Sequence, residues 1–231
     1  MDFKSLMSLF REDDWTAALV DLFDEMLVLA SGMFGHTRDR VVDGRDDHEP
    51  TAAIYEPDKR INGLMRQIRR RVVSRLVMAG NSADVPTAVI FMNAVKDAER
   101  IGDYIKNLYE IAELMPEDPD RALYRAWLAG RCDRIGDLLD RTRGAFAAGD
   151  EAAAATVIAD ARQLSVECEE AIREITDWAG QVRDAVCLVL ALRFLKRIAS
   201  HLSNIATTLV MPVDLLDFHD ESPPDRPRRS G

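Results

Sequence analysis

The 231-residue chain contains no Gly-rich phosphate loop, no G-x-S-x-G nucleophile elbow and no H-E-x-x-H. The backbone cradle, strained serine or paired histidines on which common NTPases, hydrolases and metalloproteases depend are therefore missing. Paired Glu-x-x-His motifs of the ferritin type are also absent, which weighs against a carboxylate-bridged redox centre. Its three cysteines, Cys132, Cys168 and Cys187, are widely spaced and form no Cys-x-x-Cys pair. That pattern suits buried thiols in a reducing cytoplasm. No basic-then-apolar leader opens the sequence, and the apolar run around 185–195 is interrupted by Arg193 and too short to cross a bilayer, which takes about 20 apolar residues. Positive charge is in deficit: the net charge is −10 and the pI is near 4.9. A field of that sign repels nucleic acid and anionic membrane, so neither is expected as a direct partner.

What is present is helical periodicity; the alternating β-branched runs that mark strands do not occur. An all-α fold is expected, with helices over about 15–39, 57–79, 84–114, 118–148, 151–178 and 181–210. In the first, Leu19, Leu22, Phe23, Met26, Leu29, Ala30 and Met33 form one side; in the second, Ile61, Leu64, Met65, Ile68, Val72, Leu76 and Val77 recur at spacings of three and four. Polar residues from 43 to 50 break the first helix, and Gly80-Asn81-Ser82 ends the second. Asp84 reads as the cap of the third, with Pro86 in its first turn. Asp118-Pro119 reads as the cap and first position of the fourth, and Gly149-Asp150 as a tight corner before the fifth. Beyond Met211-Pro212 the chain turns acidic and then Pro/Arg-rich, a composition expected to stay disordered over 213–231.

One helical signature occurs twice. Glu99-Arg100-Ile101-Gly102-Asp103 with Asn107 aligns with Lys196-Arg197-Ile198-Ala199-Ser200 with Asn204, an offset of 196 − 99 = 97 residues that Val89/Val186, Ala94/Ala191, Val95/Leu192 and Ala98/Leu195 share. A common offset at so many positions argues for duplication. The expected layout is two tandem three-helix bundles, 10–115 and 118–212, packed side by side, with the signature in the third helix of each. Glu99 and Asp103, four apart, project from one helical face with Asn107 extending the row. They fall on the flank of the apolar stripe, beside solvent or a groove. Such a row offers oxygen ligands to a hard or borderline cation, and Asp58 and Asn62 on the second helix are candidates to complete the set. The plainer alternative is surface ion pairing, with Lys96 three residues before Glu99 and Lys106 three after Asp103.

The segment Asp97-Ala98-Glu99-Arg100-Ile101-Gly102-Asp103-Tyr104-Ile105-Lys106-Asn107-Leu108 resembles the (D)LERIGDHAxNIAE signature of the PhoU family, the phosphate-uptake regulators of bacteria. Arg197-Ile198-Ala199-Ser200-His201-Leu202-Ser203-Asn204-Ile205-Ala206 is similar to the same motif, and the resemblance spans about 15–212. It implies paired three-helix bundles, a regulatory and non-enzymatic role, and a divalent or iron-type metal at the E/D-x-x-x-D motif, which Glu99 and Asp103 match. It also implies a cytoplasmic homodimer that reaches the membrane only through its partners, a phosphate ABC transporter and a sensor histidine kinase. Lys196 and Ser200 replace the acidic pair in the second copy, so no second metal cluster is expected there. His201 stands beside them as a hydrogen-bond donor or a ligand.

A basic band, Arg66, Arg69, Arg70, Arg71 and Arg75, crosses the second helix of this acidic chain. Arg66, Arg69 and Arg70 are candidates for meeting an acidic partner or phosphate. The competing readings are a metal-dependent enzyme or metal-storage bundle built on Glu99 and Asp103, and an accessory subunit of another anion carrier docking through the arginines. The acidic pair alone supports binding more than catalysis.

Overall fold

The computed structural model describes residues 14–45, 49–79 and 84–211. Six long helices carry nearly all of them, and no strand occurs among the described residues: α1 (Asp14–Arg38), α2 (Glu56–Ala79), α3 (Val85–Glu110), α4 (Arg121–Ala148), α5 (Glu151–Thr176) and α6 (Val182–Val210). The turn at Gly80-Asn81-Ser82 and the composition-based tail lie outside the described residues. Apolar periodicity accounts for the helices directly. Leu19, Phe23, Met26, Ala30 and Met33 of α1 are buried, as are Ile61, Leu64, Ile68 and Val72 of α2 and Phe91, Ala94, Val95, Ala98, Ile101, Ile105 and Leu108 of α3.

Helix ends show where local chemistry differs from expectation. The cap of α4 is Asp120, not Asp118: its carboxylate accepts from the amides of Ala122 at 3.0 Å and Leu123 at 3.2 Å, satisfying two of the donors a helix start leaves open. Asp84 does occupy the cap position of α3 but makes no side-chain cap bond; its carboxylate is drawn instead to Arg75 Nε at 2.8 Å. The Gly149-Asp150 corner forms as expected, with Gly149 at φ 63°, a left-handed conformation that suits glycine, and Asp150 accepting from the Ala153 amide at 3.0 Å. Between α1 and α2 the chain is more helical than its polar composition suggests. Two π-helical turns, Asp39–Asp43 and Thr51–Tyr55, flank the break and bury Val41, Val42, Ala53 and Ile54. Val77, placed on the apolar row of α2, is 77% exposed, because that row leaves the bundle in its last turns.

Helices α1, α2 and α3 pack on one another, as do α4, α5 and α6, and the two bundles meet through α1 against α4 and α3 against α6. Each interface helix thus faces its own counterpart in the other repeat. Phe23 of α1, Phe91 of α3 and Phe146 of α4 lock this junction, with ring centroids 4.3 Å apart for Phe23–Phe146, 5.8 Å for Phe91–Phe146 and 6.4 Å for Phe23–Phe91. The last two pairs are edge-to-face, the arrangement that ring quadrupoles favour. In the second bundle Tyr124 of α4 donates to Asp184 of α6 at 2.7 Å in a buried setting. All three cysteines are free and buried.

Candidate functional site

The signature of α3 faces α2, and the seam between them concentrates charge. Asp58, at the start of α2, lies opposite Asp103 and Lys106: the Lys106 ammonium donates to Asp58 at 2.9 Å and to Asp103 at 3.4 Å. Arg100 closes the outer side, 3.3 Å from Asp103 and 3.7 Å from Glu99. Burial raises the pKa of Glu99, reinforced by the negative charges of Asp103 and Asp58, while Arg100 and Arg69 pull the other way. Burial opposes the charge of Lys106, but Asp58 and Asp103 outweigh it and its pKa rises. The seam is therefore a cluster of three carboxylates of which Asp58 and Asp103 are paired from within the chain.

Gly102 lies where the two helices meet. A Cβ there would stand 3.3 Å from Ile61 Cδ1 and 3.9 Å from Asp58 Oδ1, a fit that Ile61 meets by a small shift of its side-chain end. Asn62 turns back along its own helix and donates to the Asp58 carbonyl at 3.2 Å. Of the four candidate metal-ligating residues, Asp58, Glu99 and Asp103 converge, while the Asn62 amide nitrogen is spent on the backbone. No group of three or more His, Cys, Asp or Glu among the described residues is arranged to hold a metal ion. The donor set as it stands does not fit a cation, because Lys106 sits between Asp58 and Asp103.

The arginine band divides. Arg66, Arg70 and Arg71 are exposed, whereas Arg69 is half-buried and its Nε lies buried with no hydrogen-bond partner, close enough to Glu99 to act on its charge. Arg69 thus belongs to the charged seam and its neighbours to the surface.

In the second repeat Lys196, which takes the place of Glu99, crosses to Glu169 of α5, and that hydrogen bond holds the Glu169 carboxyl below the ordinary range. Ser200, in the place of Asp103, donates to the Lys196 carbonyl at 3.0 Å. His201 is a hydrogen-bonding residue: its Nδ1 lies 2.7 Å from Asp97 Oδ1, which Asn204 also approaches at 3.4 Å. Asp97 is 0% exposed and its second oxygen has no partner. Sequence reasoning quoted Asp97 only as the first letter of the motif. The available signal was its position among Ala94, Ala98 and Ile101, where an acid interrupts an apolar stripe. The 97-residue offset makes the geometry intelligible: it maps the Asp97–His201 contact onto Phe194–Tyr104, whose rings lie 6.1 Å apart. Tyr104 and His201, equivalent to each other, stack at 5.6 Å between the two contacts.

A duplicated three-helix unit with a charged signature seam defines the class, and comparison with known proteins gives the family. The PhoU domain matches residues 23–112 and 128–209, one match in each repeat. The chain belongs to the PhoU family. It is 29% identical over 171 residues to a Phosphate-specific transport system accessory protein PhoU homolog from Synechocystis sp., covering 68% of this chain and 72% of that protein. Its fold matches the crystal structure of PhoU from Pseudomonas aeruginosa with a TM-score of 0.66 at 22% identity, over 90% of this chain and 97% of the other. No described helix is long and apolar enough to cross a membrane.

Proposed function

We propose that the chain regulates phosphate uptake and phosphate-starvation signalling through protein contacts with a phosphate ABC transporter, a sensor histidine kinase, or both. The observation that carries this reading is the PhoU-domain match in both repeats, supported by the likeness to the Synechocystis accessory protein of a phosphate-specific transport system. In the α2–α3 seam the carboxylates of Asp58 and Asp103 are engaged by Lys106 and Arg100. The exposed arginines Arg66 and Arg70, on α2 of an otherwise acidic protein, are the contact surface for an acidic face of the partner. Charge complementarity of that kind sets association rate and selectivity.

A divalent or iron-type metal at Glu99, Asp103 and Asp58 enters this reading only by displacing Lys106. Elemental analysis of protein purified without chelator, wild type beside Glu99→Gln/Asp103→Asn, separates the cases. Stoichiometric metal lost in the variant assigns the seam to metal-linked signalling; metal absent from both leaves Lys106 as the resident cation. For the regulatory role itself, the test is deletion of the gene. Phosphate uptake and the starvation response should change when phosphate is abundant, and unchanged uptake and response would remove the reading.

A further inference from the structure

A basic groove of about 560 Å³ opens at one end of the first bundle, lined by Trp15 of α1 and Arg70, Arg71, Ser74, Arg75 and Met78 of α2. Its floor is fixed. Arg75 is held by Asp84 at 2.8 Å and its guanidinium lies 5.3 Å from the centre of the Trp15 ring. Its apolar side is open: Met78 lines it, and Met78 and Val77, the residue before it on α2, are among the most exposed large hydrophobic residues of the described chain. A surface that combines arginines with uncovered aliphatic side chains suits a segment carrying acidic and large apolar residues in alternation.

The chain holds one such segment. Residues 214–221, outside the described residues, read Asp-Leu-Leu-Asp-Phe-His-Asp-Glu, four acids and three large hydrophobics with no lysine or arginine. Helix α6 delivers it to the right end of the molecule. Arg183 Nε meets the Leu114 carbonyl at 2.7 Å and His201 meets Asp97 at 2.7 Å, so α6 runs antiparallel to α3 with paired residue numbers summing to 297 or 298. Val210 therefore lies level with about residue 88, at the end of α3 where Asp84 binds Arg75. From α6 across α3 to α2 is two interhelical steps of about 8–10 Å each. An extended chain covers about 3.3–3.6 Å per residue, so the seven residues from 212 to 218 span that distance.

We infer that segment 214–221 docks in the groove of its own chain, with Asp214, Asp217, Asp220 and Glu221 answering the arginines and Leu215, Leu216 and Phe218 covering Trp15, Val77 and Met78. The other nearby segment, residues 1–13, joins Trp15 directly but carries Lys4 and Arg11 against Asp2, Glu12 and Asp13, and its apolar stretch 5–10 contains no acid. It does not complement Arg70 and Arg71. The contact would place an internal competitor on the basic face of α2, which an acidic partner must displace. That regulatory consequence rests on the partner reading above; the contact itself does not.

Crosslinking in the full chain reads the contact without any partner. The native thiols are buried and burial pushes them up, Cys132 to about 12 and Cys168 to about 11, so they stay out of the reaction. Phe218→Cys is paired with Ser74→Cys in the groove, or with Ala155→Cys as a control. Ala155 is exposed and, fourteen residues from Glu169 as Val210 is from Lys196 in the antiparallel register that the Lys196–Glu169 contact sets, lies level with Val210 on the adjacent helix. It is thus nearer the start of the tail than Ser74. A bis-maleimide should join the Ser74 pair within one chain about tenfold faster than the Ala155 pair, a preference of about 1.4 kcal/mol. Arg70→Glu/Arg71→Glu should erase the preference, and Asp217→Arg/Asp220→Arg in that background should restore it. Equal rates for the two pairs, a product joining two chains, or preferential capture of Phe3→Cys by the groove would each overturn the inference.

Discussion

The third helices of the two repeats carry the same signature and have diverged in charge. In α3 the seam toward α2 gathers Glu99, Asp103 and Asp58 around Lys106 and Arg100; in α6 the seam toward α5 carries the cross-helix pair Lys196 with Glu169. Both repeats retain one lysine on the third helix that reaches an acid on the second. The lysine has moved seven residues, two helical turns, from 106 to the position equivalent to Glu99. The first repeat is left with surplus carboxylate charge, and it has Gly102 where the second repeat has the buried Ala199. The two repeats share their packing and a lysine–acid contact across it, while the acid-rich seam lies in the first.

The junction that both repeats share should be the most sensitive part. Phe146→Ala opens a cavity among Phe23 and Phe91 and should cost about 3–5 kcal/mol, seen as a lowered urea midpoint. A loss below about 1 kcal/mol would mean the bundles are stable apart. Next is the asymmetric pair at the pseudo-twofold. His201→Ala removes the 2.7 Å contact to the buried Asp97 carboxylate and should cost about 1–3 kcal/mol, the usual penalty for leaving a buried polar group short of a hydrogen-bond partner. The double change Asp97→Phe/His201→Tyr copies the aromatic contact of the other half and should recover part of that loss. If it is no better than His201→Ala, the two halves are not interchangeable.

The seams themselves should respond oppositely to pH. Glu99 has a folded pKa above its unfolded value, so its ionisation destabilises the fold as pH rises through that window, and acid relieves the cost. Glu169 has a folded pKa below its unfolded value, so its stabilising contribution is present above the ordinary carboxyl range and fades as pH falls through the lowered pKa. Glu99→Gln should therefore stabilise at neutral pH with a benefit that disappears in acid. Glu169→Gln should destabilise slightly at neutral pH, by about 0–1 kcal/mol for a half-exposed pair, and be neutral in acid. Thermal melts from pH 3 to 8 would show both trends, and parallel curves would contradict the contrast.

Much of this was legible in advance because helical periodicity reports burial directly. The 3–4 spacing of Leu19, Phe23, Met26 and Ala30 needs no tertiary knowledge, and the 97-residue offset exposes the repeat. Lys106 was also readable as a counterion of Asp103, since three residues separate them on one helix. What could not be read were contacts set by packing between distant segments. Asp97 and His201 are 104 residues apart, and only the antiparallel register of α3 and α6 brings them together. The π-helical turn at Thr51–Tyr55 is too short to show a period, so Ala53 and Ile54 gave no sign of burial. The α4 cap fell two residues late because Asp118 and Asp120 are equally good caps by type, and only backbone direction selects between them.

The central claim is that this PhoU-family chain works through protein contact at the arginine face of its first repeat. The direct measurement is capture of the purified phosphate ABC transporter and the sensor histidine kinase by the immobilised full chain, wild type beside Arg66→Glu/Arg70→Glu. The account predicts capture of at least one of the two by the wild type, and a loss of affinity of about tenfold or more in the variant. Failure of the wild type to retain either protein, or retention indifferent to the charge reversal, would contradict it.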